Sequence, residues 1–412
     1  MDLKVTNIEK SAVDKKISRV LVLQLVMFGS KILLVQGVPA IFQMRDVLDM
    51  LLLGIVAIMM FSIGKHILKR LRPEHIFMTI ATSIMFLISM LINQDYLGGL
   101  LEMVPRFVFP CYASYILASV VFDINHVLYY HERYMKFLIM TSIVTAIFFS
   151  THISVIHRNL YSMPYSDITL IPTVWYFIRY FEEKDKTSLI LSIIGLLLIL
   201  VFGSRNPLLS ILALFIYFGL KYVFTSITMK KAVVTLCLVV IVALFAINFE
   251  AIVIEFLDLL GNMGIHSRTL NKLLYVGIDD SGRSTIFRLL IAQLNDKPLL
   301  GLGIGGPEAA LNILPHNLYL GILVYFGYPI GLLVLLLLCR IWLKAWTVSS
   351  NISKRLLLMY MVIIIPRGIV GISILSTEYF WLLLGICSSV IYQHKKKTFE
   401  NKLQEMHALS EN

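Results

Sequence analysis

Apolar runs of roughly 18–25 residues, separated by short polar or basic stretches, follow one another along most of the chain. They show no strict alternation of apolar and polar positions, which selects helices over strands. The runs lie at 18–43, 46–64, 75–93, 103–123, 134–150, 166–181, 187–204, 206–226, 232–254, 316–339, 355–375 and 377–393. Hydrocarbon offers no water to satisfy backbone N–H and C=O groups, so only helices or a closed barrel can cross it. The pattern therefore predicts an all-α, polytopic integral membrane protein with about twelve transmembrane helices.

Charge sets the orientation. With the N-terminus placed inside, the inner loops and the two ends carry 25 of the 36 Lys and Arg residues. That bias follows the positive-inside rule and predicts that both termini are cytoplasmic. Two outer loops remain, a modest one at 151–165 and a large one at 255–315 that precedes the tenth span. Within the large loop, "STIFRLLIAQLN" (284–295) has helical spacing, with Ile286, Leu289, Leu290 and Leu294 along one side and Ser284 as a cap. A helix of this kind can lie on the membrane surface. No repeat or low-complexity tract interrupts the chain, so 1–412 reads as a single membrane domain with one large extracytoplasmic loop.

Composition agrees: 58% of the 412 residues are hydrophobic and only 15% are charged. The net charge of +11 is then mostly topological, and nucleic-acid binding is not expected. The polar stretch before residue 19 has no signal-peptide character. Cys111, Cys237, Cys339 and Cys387 fall within apolar runs without close spacing, so packing is expected rather than a disulfide or metal site. "GLGIGGP" (301–307) lacks the Lys-Ser/Thr of a nucleotide loop and reads as a turn, and "HVLYYH" (126–131) lacks metal-ligand spacing. No metal site and no cofactor are expected.

With the topological charges set aside, few candidates for chemistry remain. Lys31, Arg106 and Arg367 fall within apolar spans, where an ionisable side chain is costly and points to function. Arg205, in "FGSRNPL", stands at the outer end of a span, where either headgroup anchoring or a specific turn accounts for it. In the large loop, Arg283 ("DDSGRST") is placed to hold an anion with nearby backbone N–H groups, or to pair with Asp279 and Asp280. Arg288 projects opposite the apolar side of its helix, toward solvent or headgroups. His316 and Asn317 close the loop in "LPHNLYLG". Asn312 as helix cap and Pro315 in the first turn would set His316 at the positive end of a helix dipole, which keeps an imidazole neutral. A neutral His beside cationic side chains suits a general base or a hydrogen-bonding group for a sugar hydroxyl. A lone interfacial His that merely hydrogen-bonds is the plainer alternative.

Three segments in order, "GSRNPLLSILAL", "SGRSTIFRLLIAQLNDKPLLGLGIGG" and "PHNLYLGILVYFGYPIGLLVLL", followed by "TEYFWLLLGI", resemble the bacterial O-antigen polymerase and O-antigen ligase superfamily (Wzy type). The resemblance covers 203–386; the aromatic residue that the pattern places soon after its GR is here Phe287. It implies a metal-independent glycosyltransferase of the bacterial cytoplasmic membrane, active on the extracytoplasmic side. Its donor would be an undecaprenyl-diphosphate-linked oligosaccharide, and its product an O-antigen or capsule chain. Arg205 and Arg283 match the diphosphate-binding arginines and His316 the family His, with Asn317 beside it. Arg288, Arg367 and Arg106 are further substrate-binding candidates. Guanidinium groups would stabilise the diphosphate leaving group in place of a metal, and attack opposite it would invert the linkage. Membrane lipids, a chain-length regulator and a flippase of the same pathway are the implied partners. A ligase that transfers finished glycan to lipid A core is an alternative within the superfamily. A lipid-linked oligosaccharide transporter is an alternative from another class.

Overall fold

A computed structural model describes residues 2–37, 43–151, 163–202, 206–225, 248–262, 267–271, 274–275 and 282–410. Among them every regular element is helical. The α-helices are α1 (Asp2–Gly37), α2 (Arg45–Leu68), α3 (Pro73–Ile92), α4 (Leu97–Phe107), α5 (Ala113–Ser119), α6 (Ile124–Thr151), α7 (Met163–Glu183) and α8 (Lys186–Phe202). They continue with α9 (Asn206–Thr225), α10 (Phe249–Asn262), α11 (Arg268–Asn271), α12 (Arg283–Asp296), α13 (Gly306–Leu311), α14 (Leu318–Val348), α15 (Asn351–Arg367) and α16 (Glu378–Ser410).

Among the described residues, four helices are long and apolar enough to cross a membrane: Val47–Leu68 in α2, Pro73–Ile92, Asn206–Thr225 and Leu318–Val348. The expectation of twelve is therefore not met. The difference lies in length and composition: α8 and α15 have only 17 residues each, and α7 is less apolar than α3 or α9; several runs are also covered by protein. In α7 nearly every residue from Tyr165 to Ile178 is buried, and α15 is only 17 residues long with most of its side chains enclosed. By contrast α2 exposes Met50, Ile58 and Phe61, the last at 91%, and α3 exposes Ile76, Phe77, Ile80, Leu87 and Leu91. Such continuous apolar surface is a liability in water and is suited to lipid. The run at 103–123 is not one helix either. Pro105 lies in α4, and a π turn at Val108–Tyr112 containing Pro110 separates α4 from α5. The buried Gln24 amide donates to two carbonyls of this turn, Phe109 O at 3.0 Å and Pro110 O at 3.1 Å. The run at 232–254 lies mostly outside the described residues. Cys111 and Cys387 are buried and Cys339 is exposed, all as free thiols.

The chain forms two compact units. One comprises 26–48 and 134–281. In it α8 closes onto α7 so tightly that a Cβ at Gly195 would stand 2.1 Å from Thr173 Oγ1. Tyr165 Oη donates to Ser142 O at 2.8 Å, and Phe177 and Phe181 of α7 meet Phe215 of α9 edge to face.

The other unit comprises 1–25, 49–133 and 282–412. Near the N-terminal end of its α3, Asp14 accepts hydrogen bonds from Arg70, from Phe122 N at 3.0 Å and from Asp123 N at 3.1 Å. Arg72 Nη2 donates to Ser119 O at 3.0 Å and to Ser388 Oγ at 2.9 Å, with its guanidinium over the Tyr392 ring. At the other end of α3, Ser89 Oγ donates to Ile304 O at 2.7 Å and Asn93 Nδ2 to Leu302 O at 2.9 Å. Residues 301–305 form a turn, as expected, while Gly306 and Pro307 already open α13; the turn is also built into α14. Gly327 has φ +74° inside that helix and Pro329 follows it. Pro329 has no N–H for Tyr325 O, and Tyr328 N turns away to Pro298 O at 2.8 Å. Leu302 N and Gly303 N fill the two released positions, on Val324 O at 2.8 Å and Tyr325 O at 3.1 Å. Gly301 is required there, because a Cβ would come within 2.3 Å of Val324 O. Two carbonyls released at the kink are thus paired within the protein.

Candidate functional site

The site is assembled around the entrance to α14. Asn317, with extended backbone, is the cap: its Oδ1 accepts from Leu320 N at 2.9 Å, and its carbonyl accepts from Gly321 N at 2.8 Å. The sequence expectation assigned the cap to Asn312. Asn312 instead ends α13 in the left-handed conformation at φ +51°. Five residues between it and the helix turn the chain, and Pro315 is buried beside Gly321. His316 thus immediately precedes the cap rather than following it, and remains close to the positive end of α14.

His316 is itself left-handed, at φ +50°. His adopts this conformation more readily than most residues, but it still costs on the order of 1 kcal/mol and needs surrounding contacts to hold it. These contacts are present. Leu318 N donates to Gly368 O at 2.7 Å, and Tyr319 Oη donates to Ile365 O at 2.9 Å. Both carbonyls belong to the end of α15, around Pro366 and the buried Arg367 (4% exposed). The fold therefore brings the His316–Asn317 turn to the end of the helix that carries Arg367.

Arg283 opens α12 behind Gly282, whose φ of +80° and carbonyl bond to Ile286 N make it the cap residue in place of Ser284. The apolar side of α12 packs on α14: Leu290 and Leu294 join Leu302 and Val324, with Ile286 alongside. Leu289, expected on that side, is 39% exposed. This packing sets Arg283 near His316. Partial burial, and then the Arg283 charge, hold the His316 imidazole below its usual pKa of 6.5. A neutral imidazole at pH 7, beside a guanidinium, is the electrostatic state that a proton acceptor requires.

The remaining candidates separate. Arg288 is exposed, with a long Nε contact of 3.4 Å to Ser284 O, and so faces away from the packed side as expected. Arg106, in α4, is also exposed. Arg205, with Gly203 and Ser204, lies outside the described residues, as do Asp279 and Asp280; the adjoining Asn206 and Pro207 begin α9 and are buried. Among the described residues no cluster of His, Cys, Asp and Glu is arranged to hold a metal.

One feature of this region escaped the sequence reading. Glu308, on α13, accepts a hydrogen bond from Tyr325 Oη of α14, and Ser373 Oγ lies 3.5 Å from the same phenol. Glu308 Oε2 is closed off from solvent and makes no hydrogen bond. Burial raises this carboxyl from 4.5 to about 7, against the opposing effect of the Tyr325 bond. An acid in "GPEAAL" carries no local signal of this; only the folding of α13 against α14 creates it.

No family model, curated protein or solved structure matches the chain.

Proposed function

We propose that this multi-pass protein is a surface-polysaccharide polymerase of the bacterial cytoplasmic membrane, with both termini cytoplasmic and the His316 turn on the outer face. It would transfer a growing glycan from undecaprenyl diphosphate to the next lipid-linked repeat unit. The observation that carries the reading is a neutral, constrained His316 at the mouth of a membrane helix, within the field of Arg283 and next to the Arg367 end of α15. The order of the sequence motifs supports the choice of substrate.

In this mechanism His316 takes the proton from the acceptor hydroxyl as its oxygen attacks the anomeric carbon. The bond from that carbon to the diphosphate oxygen breaks, and the leaving group departs with the electron pair. Arg283 stabilises the charge that develops on the diphosphate, a role that the sequence resemblance also gives to Arg205. Attack from the opposite side inverts the linkage. The exposed apolar helices accommodate the prenyl tail, and a flippase and a chain-length regulator would act before and alongside it. A ligase uses the same chemistry with lipid A core as acceptor.

A transporter commonly binds its cargo at interrupted helices near the membrane centre. At the interruption in α14, Leu302 N and Gly303 N already occupy two of the carbonyls that a cargo would use.

His316→Ala should reduce glycan chain growth about 10²–10⁴-fold in cells in which the variant is inserted normally. Arg283→Lys should also impair it, because an ammonium cannot form the bidentate fork. Normal chain lengths from the inserted His316→Ala variant would sink the proposed role.

A further inference from the structure

Glu308 lies eight residues before His316, and its one side-chain bond crosses from α13 to α14. The chain it encloses, 309–324, holds two of the three non-glycine residues with positive φ among those described, Asn312 and His316. The Glu308–Tyr325 bond thus ties together the two helices whose separation decides whether that strained turn stays seated. Tyr325 also faces Ser373, in the segment that follows Arg367 and Gly368, so the clamp reaches the backbone that receives Leu318 N.

The surroundings do not suit a carboxylate. α4 packs against α13 through Gly99, Leu100 and Met103, while its charged residues, Glu102 and Arg106, are exposed. On α14 the facing titratable group is Tyr325; Tyr319 is engaged with Ile365 O and Tyr328 with Asn295 Oδ1. Between Gly368 and Thr377 there is no ionisable residue. Arg367, before it, and Glu378, after it, exert no resolved charge effect on Glu308, whose shift comes from burial. Among the described residues no cation accompanies it, and a carboxylate enclosed with one oxygen bare costs more than a neutral carboxyl there.

We propose that Glu308 is a proton-dependent positioning residue: it is neutral where α13 packs on α14 and seats His316, and once ionised it favours an open arrangement in which the carboxylate reaches water, the Tyr325 phenol donating to it in either state. The inference rests on the reading of His316 as the reacting group. Activity should then be bounded on both sides. His316 becomes protonated toward low pH, and the Glu308 clamp weakens as pH rises toward about 7. Between 4.5 and about 7 the preference for the seated turn falls about tenfold per pH unit, and it then levels off.

Two readouts on the full-length protein in lipid nanodiscs test this separately. The first is hydrogen exchange at residues 312–321, corrected for intrinsic rates, at about pH 6 and about pH 8. Wild type should lose protection at Leu318 and Leu320 at the higher pH. Glu308→Gln, whose amide oxygen still accepts from Tyr325 and cannot ionise, should keep it. The second is the pH profile of glycan extension from lipid-linked repeat units, where Glu308→Gln should lose the alkaline fall seen in wild type. Equal protection of wild type at both pH values, or an alkaline fall retained in an active Glu308→Gln, overturns the proposal. If Glu308→Gln does not fold, the wild-type exchange comparison decides alone. Protection that is lost on schedule in a wild-type protein that extends no glycan supports the clamp and rejects the polymerase reading instead.

Discussion

Asp14 and Glu308 are both acids withdrawn from water, and they serve regions near opposite ends of α3. That helix has 20 residues, about 30 Å at 1.5 Å per residue. Asp14 spends both oxygens: Oδ1 on Arg70 and Phe122 N, Oδ2 on Asp123 N. Glu308 has a single phenol on one oxygen and nothing on the other. Both bind segments distant in sequence. Only Asp14 is matched by a cation and two amides, which suits a fixed fastening. Glu308 has no such match among the described residues, and its burial, which outweighs the Tyr325 bond, favours the neutral acid. The difference separates an end of the molecule devoted to holding the chain from an end that can change state.

The comparison breaks most readily at Asp14. Arg70→Ala or Asp14→Ala leaves the other partner buried and should cost about 3–5 kcal/mol, read as a lower unfolding temperature in detergent. Extension activity per folded molecule should be unchanged. A next, smaller effect is expected at the backbone splice. Gly301→Ala places a Cβ against Val324 O at a φ of +65°, and overpacking of this kind costs about 1–3 kcal/mol. Exchange at the Leu302 and Gly303 amides should rise with it.

The pH dependence sharpens the contrast without disturbing packing. The folded value for Glu308 is raised from 4.5 to about 7. Its contribution to stability is therefore complete below 4.5 and declines as pH rises toward 7, then levels off. Glu308→Gln should remove that slope, whereas Arg70→Ala should lower stability and leave the slope in place. His316 has the opposite sign: its lowered value means that stability present above 6.5 is lost as pH falls. Arg283→Gln should bring the imidazole back up toward 6.5, as followed by NMR. The smallest effect belongs to Arg288→Ala, which should change stability by no more than about 0.5 kcal/mol.

Much of the mouth was legible because local signals coincide there. Pro315, His316 and Asn317 precede a long apolar run, and the spacing of Ile286, Leu290 and Leu294 marks α12 and its packed side. The cap was misplaced by five residues, since Asn312 and Asn317 are chemically equivalent and only the turn between them distinguishes their roles. The span count failed for a different reason. The runs in α7 and α15 are less apolar than the four candidate spans, and α15 is also short; reading every apolar run as a span passed over both length and the polar residues within it. The π turn at 108–112 receives two hydrogen bonds from Gln24, far away in sequence. Glu308 was invisible because its environment comes from Tyr325 and Ser373, brought together by the kink and by the end of α15.

The central claim is that the His316 turn is where glycan is transferred, and reconstitution tests it most directly. Purified wild-type protein in nanodiscs, supplied only with undecaprenyl-diphosphate-linked repeat units, should give long glycans, and His316→Ala should give none. Extension by His316→Ala at the wild-type rate, or no product from wild type with or without a separate acceptor, would contradict the account.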